Sequence, residues 1–172
     1  LYLATNLAKA NNINLQEKAS EAGLMPYQYE YDKSLKAYSM TIDLTMIGKD
    51  SNFDTEEASN EEKAKRVISL IDAVENLSLV VRGNLDNAEP LFVVGGLSER
   101  KTHYFENVVN VKANKLIISD DLKDKINKGF RVGLLKGMTF ENESEIVEKL
   151  KPISVSEFFD DLRSDVKAYY GC

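Results

Sequence analysis

The chain has 172 residues, of which 43% are hydrophobic and 29% charged, and its formal net charge at pH 7 is −6. This composition excludes a wholly disordered chain and suits a single globular domain with a real core, which we predict over residues 1–172. The net negative charge argues against a protein whose whole surface binds nucleic acid.

The first 47 residues contain two segments with a helical pattern, followed by two segments with a strand pattern. Apolar spacing predicts short helices over residues 3–10 and 16–22. Tyrosines alternate with polar residues over 27–31, and residues 37–47 show the cleanest alternation in the chain. Two such segments around a short polar link predict a β-hairpin.

The best helix pattern covers residues 59–77. Ser59 and Glu62 have the spacing of a capping box, in which the serine oxygen accepts a backbone N–H of the first helical turn. Residues 91–97 are continuously apolar, which predicts a central strand covered on both faces. The further predicted elements are a hairpin from 108–111 and 116–118 around Ala113-Asn114, a strand at 131–135, a helix at 142–150 and a helix capped by Ser154 with Glu157.

Hairpins interspersed with helices indicate the α+β class. The simplest arrangement is an antiparallel sheet with helices packed on one face. We therefore predict a modified RRM-like or ferredoxin-like domain with inserted loops. Because the chain begins without methionine, we expect it to be a fragment or a trimmed product.

Positive charge is concentrated in one part of the sequence. Residues 98–136 contain nine lysines and arginines against five acids, together with His103, the only histidine. Arg82-Gly83-Asn84 and Gly95-Gly96 add glycines, which let a backbone approach a bulky ligand closely. This combination suggests sequence-independent binding of a phosphate backbone, although a mixed, solvated surface would give a similar pattern.

Residues with catalytic or metal-binding potential are few. One histidine and one cysteine cannot form a zinc cluster, and neither a phosphate loop nor a Gly-x-Ser-x-Gly elbow is present. Asp43 or His103 could act as a lone general base, but a solvated carboxylate and a surface histidine are the commoner interpretations. We expect no catalytic residues, no metal and no cofactor.

The sequence favours a cytoplasmic protein. Cys172 is the only cysteine, so an internal disulfide is impossible. No apolar run approaches the roughly 20 residues of a membrane span, and no signal peptide is visible.

Several segments together resemble one known family. They read AYSMTIDL at 37–44, SNEEKAKRV at 59–67, RGN at 82–84, PLFVVGG at 90–96 and YFEN at 104–107. These strings resemble the repeated backbone subunit of type I CRISPR surveillance complexes (Cascade), in the DevR-like branch of the CRISPR-associated Cas seven family. The similarity covers most of residues 1–111 and fades towards the carboxyl end.

The resemblance implies a non-enzymatic antiviral-defence protein that binds CRISPR RNA. It implies several copies of the chain along one guide RNA, other Cascade subunits as partners, and target DNA contacted through the guide, in subtype I-B. Carried over position by position, it implies RNA contact in two loops and in an amino-terminal segment, at Lys9, Arg82, Gly83, Asn84, Arg100, Lys101 and His103.

A second interpretation remains open. The tyrosine-rich strand and the acidic helices would also suit a protein-interaction domain that binds no nucleic acid. Co-purification of RNA distinguishes the two interpretations.

Overall fold

The structure, a computed structural model, describes residues 34–50, 52, 56–81, 84–137 and 139–172. Residues Leu35–Cys172 form one compact unit. Within the described residues, helices and short strands follow one another as α1 (Asn60–Glu75), β1 (Ser78–Val81), β2 (Asn84–Asn87), β3 (Phe92–Gly95), β4 (Asn110–Lys112), β5 (Lys115–Ile117), α2 (Asp120–Ile126), β6 (Arg131–Leu134), α3 (Glu143–Leu150) and α4 (Val155–Tyr170).

The strands β3 and β6 form an antiparallel ribbon at the centre of this unit. Phe92 pairs with Leu134 and Gly95 with Arg131. Successive side chains of a strand point to opposite faces. Accordingly, Val93 packs into one hydrophobic core, while its neighbours Phe92 and Val94 pack into another. The predicted strand therefore forms and is covered on both faces, but it is not central, because within the described residues it pairs only with β6.

Helix α4 packs on one face of the ribbon, and α1 packs against α4 and runs antiparallel to it. The Asn60 side-chain amide, at the start of α1, donates to the Tyr170 carbonyl at the end of α4 (3.0 Å). At the other end, Arg163 of α4 donates to Asp72 of α1 (2.7 Å). We call the buried residues between these helices the helical core: Ala64, Val67, Ile71, Phe158, Phe159, Val166 and Tyr170.

Both long helices begin where the sequence predicts. Ser59 Oγ accepts a hydrogen bond from the Glu62 N–H (3.3 Å), and Ser154 Oγ accepts one from the Glu157 N–H (3.1 Å). Such caps contribute about 1 kcal/mol each. The Glu62 carboxylate pairs with Arg66 one turn later (2.8 Å). Of the predicted capping box of α1, the hydrogen bond to the serine oxygen is therefore formed, whereas the Glu62 carboxylate binds Arg66.

The opposite face of the ribbon is covered by α2, α3 and the β4–β5 hairpin. Ala113 and Asn114 have φ angles of 48° and 57°, which a two-residue turn between right-twisted strands requires, so the predicted hairpin is confirmed. We call the buried residues on this side the mixed core: Leu116, Leu122, Val132, Leu134, Phe140, Ile146 and Leu150.

The prediction of a strand over residues 37–47 is wrong. Residues 34–43 form no strand, and residues 44–48 form a turn. The Asp43 carboxylate accepts the Thr45 N–H (3.0 Å), and the Asp43 carbonyl accepts the Met46 N–H (3.1 Å). These local bonds compete with strand pairing. Ile42 and Leu44 nevertheless pack against the helical core.

Other predicted elements lie outside the described residues or differ from the structure. The elements predicted at 3–10, 16–22 and 27–31 lie outside the described residues. Asn84, predicted to lie in a loop, instead begins β2, which pairs antiparallel with β1. Helix α2 begins at Asp120, the first residue of the adjacent pair Asp120-Asp121.

The fold class is α+β, as predicted, and its strand ladders are antiparallel, consistent with a modified ferredoxin-like or RRM-like fold. Within the described residues the strands form separate two-stranded ribbons: β1–β2, β3–β6 and β4–β5. Ile153 extends the central ribbon by a parallel bridge to Gly133.

Gly133 is predicted to tolerate no side chain. A Cβ added there would lie 2.7 Å from Val93 Cγ2 and 3.0 Å from Phe158 Cβ. We expect Gly133→Ala to lower the free energy of unfolding by about 1–3 kcal/mol, measured by urea denaturation, because α4 must move away from the ribbon. Gly95→Ala is the matched control, since its Cβ would meet only Phe158 Cζ at 3.6 Å. Equal effects of the two substitutions would contradict the prediction.

Candidate nucleic-acid interface

The loop that follows β3, residues 96–109, brings together three of the predicted RNA-binding residues. Arg100, Lys101 and His103 are all exposed on it. Its shape is set by local hydrogen bonds: the Arg100 N–H donates to Ser98 Oγ (3.0 Å), and the Glu106 N–H donates to the His103 carbonyl (3.1 Å). We call this segment the β3–β4 loop.

Aromatic packing fixes the middle of the β3–β4 loop. The Tyr104 ring stacks on Phe130, with centroids 5.2 Å apart and planes inclined by 29°. Phe105 meets both rings edge-on, at centroid distances of 5.4 and 5.0 Å. Phe105 also packs against the mixed core, so the loop is held by the hydrophobic interior of the unit.

Two cations lie beside the Tyr104 ring. The guanidinium carbon of Arg100 is 5.6 Å from the ring centroid, and the Lys125 ammonium is 4.5 Å from it. Lys125, in the last turn of α2, also donates a hydrogen bond to the Tyr104 carbonyl oxygen. Contacts of this kind contribute about 0.5–1 kcal/mol each at exposed sites. They orient positive charge around an aromatic ring.

Lys101 is bound to the segment that precedes α1. Its ammonium donates to Asp43 Oδ2 (2.9 Å) and to Thr45 Oγ1 (2.8 Å). The Thr45 hydroxyl in turn donates to Asp43 Oδ1 (2.7 Å). The Thr45 and Lys101 hydrogen bonds lower the pKa of Asp43 to about 2. Asp43 is therefore fully ionised at neutral pH and is a weak base.

His103 makes a second contact between the same two segments. Its Nδ1 lies 3.3 Å from Thr41 Oγ1, and the Thr41 hydroxyl donates to the Thr102 carbonyl at 3.3 Å. Since that hydroxyl hydrogen is then used, the Thr41 oxygen can accept a hydrogen bond from the imidazole when Nδ1 carries its hydrogen. His103 is thus engaged in a hydrogen bond at the protein surface.

The other four predicted RNA-binding residues do not belong to the β3–β4 loop. Lys9, Arg82 and Gly83 lie outside them, and Asn84 is described only through its backbone in β2. RNA contact by these four residues stays a prediction. Sequence reasoning missed Lys125, because nothing in the local pattern of α2 indicates that it reaches Tyr104.

The described residues offer little for other chemistry. Among them, no group of three or more histidine, cysteine, aspartate or glutamate side chains could hold a metal ion. Over the same ranges, no helix combines the length and the apolar character needed to cross a membrane.

The comparisons with known proteins identify the family. A family model described as "CRISPR-associated negative auto-regulator DevR/Csa2" matches residues 2–118, more than half of the chain. The protein is therefore CRISPR-associated. It belongs to the DevR/Csa2 family, which confirms the resemblance found in the sequence. No curated protein and no solved structure matches the chain.

We predict that Asp43 titrates well below an ordinary aspartate. NMR of its carboxyl carbon should give a pKa of about 2 rather than 3.8, so the ion pair with Lys101 persists as the pH falls through 4 and is lost near 2. Thr45→Val should raise this pKa more than Lys101→Ala, because the Thr45 side chain is the larger cause of the shift. A wild-type value near 3.8 would show that these bonds are absent in solution.

Proposed function

We propose that this CRISPR-associated protein is a non-enzymatic subunit that binds the backbone of CRISPR RNA in a type I Cascade complex. The observation that carries the proposal is the β3–β4 loop of a DevR/Csa2 family member, where Arg100, Lys101 and His103 lie exposed next to Tyr104. Guanidinium, ammonium and imidazole groups are the donors that bind phosphate oxygens irrespective of base sequence.

Local charge supports RNA binding despite the net charge of −6. Most acids of α1 and α4 are engaged with bases: Arg163 binds Asp72, Glu75 and Asp160, Arg66 binds Glu62, and Arg131 of β6 binds Asp161 and Asp165. Arg100, by contrast, contacts the Tyr104 ring, and its guanidinium donates no hydrogen bond to the described residues. Potentials near a surface depend on such local arrangements more than on the total charge.

The proposal of a non-enzymatic role is supported by the chemical state of the two candidate bases. The Asp43 pKa of about 2 leaves its carboxylate with little tendency to take a proton at neutral pH. His103 lies beside the hydroxyl of Thr41, and no second histidine exists to complete an acid–base pair.

In this proposal, several copies of the chain line one guide RNA in the cytoplasm and contact other Cascade subunits. Target DNA is then bound through base pairing with the guide. Subtype I-B follows from the sequence resemblance alone.

A protein-interaction domain without nucleic-acid binding is the second candidate. Strand β1 favours it, because Leu79 and Val80 point to opposite faces and are 52% and 73% exposed. Within the described residues β1 pairs only with β2, so its other edge presents backbone N–H and C=O groups with which a partner strand can pair. Purified protein with no RNA and with a defined protein partner would support this candidate.

Arg100→Ala should weaken binding of single-stranded RNA of any sequence. Loss of one phosphate contact should cost about 1 kcal/mol, or roughly fivefold in Kd, and make the slope of log K against log salt shallower by about 0.7. Fluorescence anisotropy titrations at several salt concentrations measure both quantities.

The control for Arg100→Ala is Lys65→Ala, which removes one exposed positive charge from α1, outside the β3–β4 loop. Its slope should stay at the wild-type value. Wild-type protein that binds no RNA, or an Arg100→Ala variant indistinguishable from Lys65→Ala, would refute the proposed role of the loop.

A further inference from the structure

Asp43, Thr45 and Lys101 form a closed set of hydrogen bonds at the surface. Asp43 Oδ1 accepts both the N–H and the hydroxyl of Thr45, at 3.0 and 2.7 Å, which leaves Oδ2 directed to the Lys101 ammonium at 2.9 Å. The Thr45 oxygen accepts a second N–H of that ammonium at 2.8 Å. Two of the three donors of Lys101 are therefore bound within the protein.

The carboxylate of Asp43 presents to Lys101 what an RNA phosphate would present. Both groups are anionic, and both offer oxygen acceptors to an ammonium donor. While Asp43 Oδ2 holds Lys101, the positive charge of the lysine is neutralised and contributes little to phosphate binding. Binding of a phosphate to Lys101 then requires exchange of one oxygen anion for another.

The contact is accessible to such an exchange. The Lys101 side chain is 63% exposed and that of Asp43 is 36% exposed. Ion pairs at exposed positions contribute little to stability, so a ligand with several contacts can displace one. Within the described residues the third ammonium donor of Lys101 has no hydrogen-bond partner, so it can make the first contact with the incoming phosphate.

The β3–β4 loop has other attachments that do not depend on Lys101. Tyr104 stacks on Phe130, and Thr41 holds the Thr102 carbonyl and the His103 ring. Release of Lys101 from Asp43 therefore frees a cation without detaching the loop. An asparagine at position 43 would still present an oxygen to the Thr45 N–H, so the turn after Asp43 is retained.

From this geometry we propose that Asp43 is an internal competitor for the RNA backbone: it occupies Lys101 until a phosphate group displaces it, and so it limits the affinity of the β3–β4 loop for RNA. The inference rests on the proposed function. It assigns to Asp43 a tuning role in place of the general-base role considered from sequence.

The test compares Asp43→Asn with wild type in the full-length chain, using a labelled single-stranded oligouridine. Freed Lys101 should tighten binding about two- to fivefold at low salt, the range expected from the strength of an exposed ion pair. The salt slope should steepen by about 0.7, because one more phosphate is neutralised.

Glu99→Gln is the matched control. It removes one acid from the same loop, and Glu99 forms no ion pair in the part of the chain that the structure describes, so no lysine is released. Its salt slope should equal that of wild type. In a Lys101→Ala background, Asp43→Asn should likewise leave the slope unchanged, because no ammonium is present to be released.

The outcomes separate the inference from the function beneath it. If wild-type protein binds the oligouridine and Arg100→Ala weakens binding, but Asp43→Asn behaves like Glu99→Gln, the competitor role is refuted while RNA binding stands. Weaker binding by Asp43→Asn also refutes it and makes Asp43 a positioning residue for Lys101. If neither wild type nor any variant binds, the proposed function fails and the inference fails with it.

Discussion

The structure of this unit depends on burial of both faces of the β3–β6 ribbon. A two-stranded ribbon of four-residue strands has too few internal contacts to be stable in water by itself. Its alternating side chains, Val93 on one side and Phe92 and Val94 on the other, therefore require a core on each face. Gly133 permits this on the α4 side, because the absence of a Cβ lets Phe158 approach the strand.

The position of the β3–β4 loop follows from that arrangement. The loop leaves the half-buried strand β3 at Gly95 and returns to the mixed core through Phe105. Tyr104 and Phe130 fix its middle, and Lys125 is directed to the same ring by α2. The cationic groups thus lie on a surface that is held in place by packing against the core, and a long polymer with regularly spaced charges could bind across them.

The parts of the fold that the sequence predicts are those set by neighbouring residues. The caps at Ser59 and Ser154 and the turn at Ala113-Asn114 depend on contacts within a few positions, and each forms where the pattern indicates. The alternation of polar and apolar residues at 37–47 wrongly predicts a strand, because hydrogen bonds between Asp43 and Thr45 form a turn that this pattern does not reveal.

The candidate site was predictable only as a list of residues. Arg100, Lys101 and His103 stand together in the sequence, so their common loop is a local property. Their partners are not local: Lys101 and Asp43 are 58 positions apart, and Thr41 and His103 are 62 apart. Pairings over such separations are decided by packing of the whole unit, which composition and spacing do not encode.

The family match ends at residue 118, whereas β6 and α4 lie beyond it. These later elements provide the ladder partner of β3 and the surface on which the apolar stripe of α1 is buried. The described elements inside the family match therefore depend on elements outside it for burial of their apolar side chains, and a truncation at residue 118 would leave those side chains exposed to water.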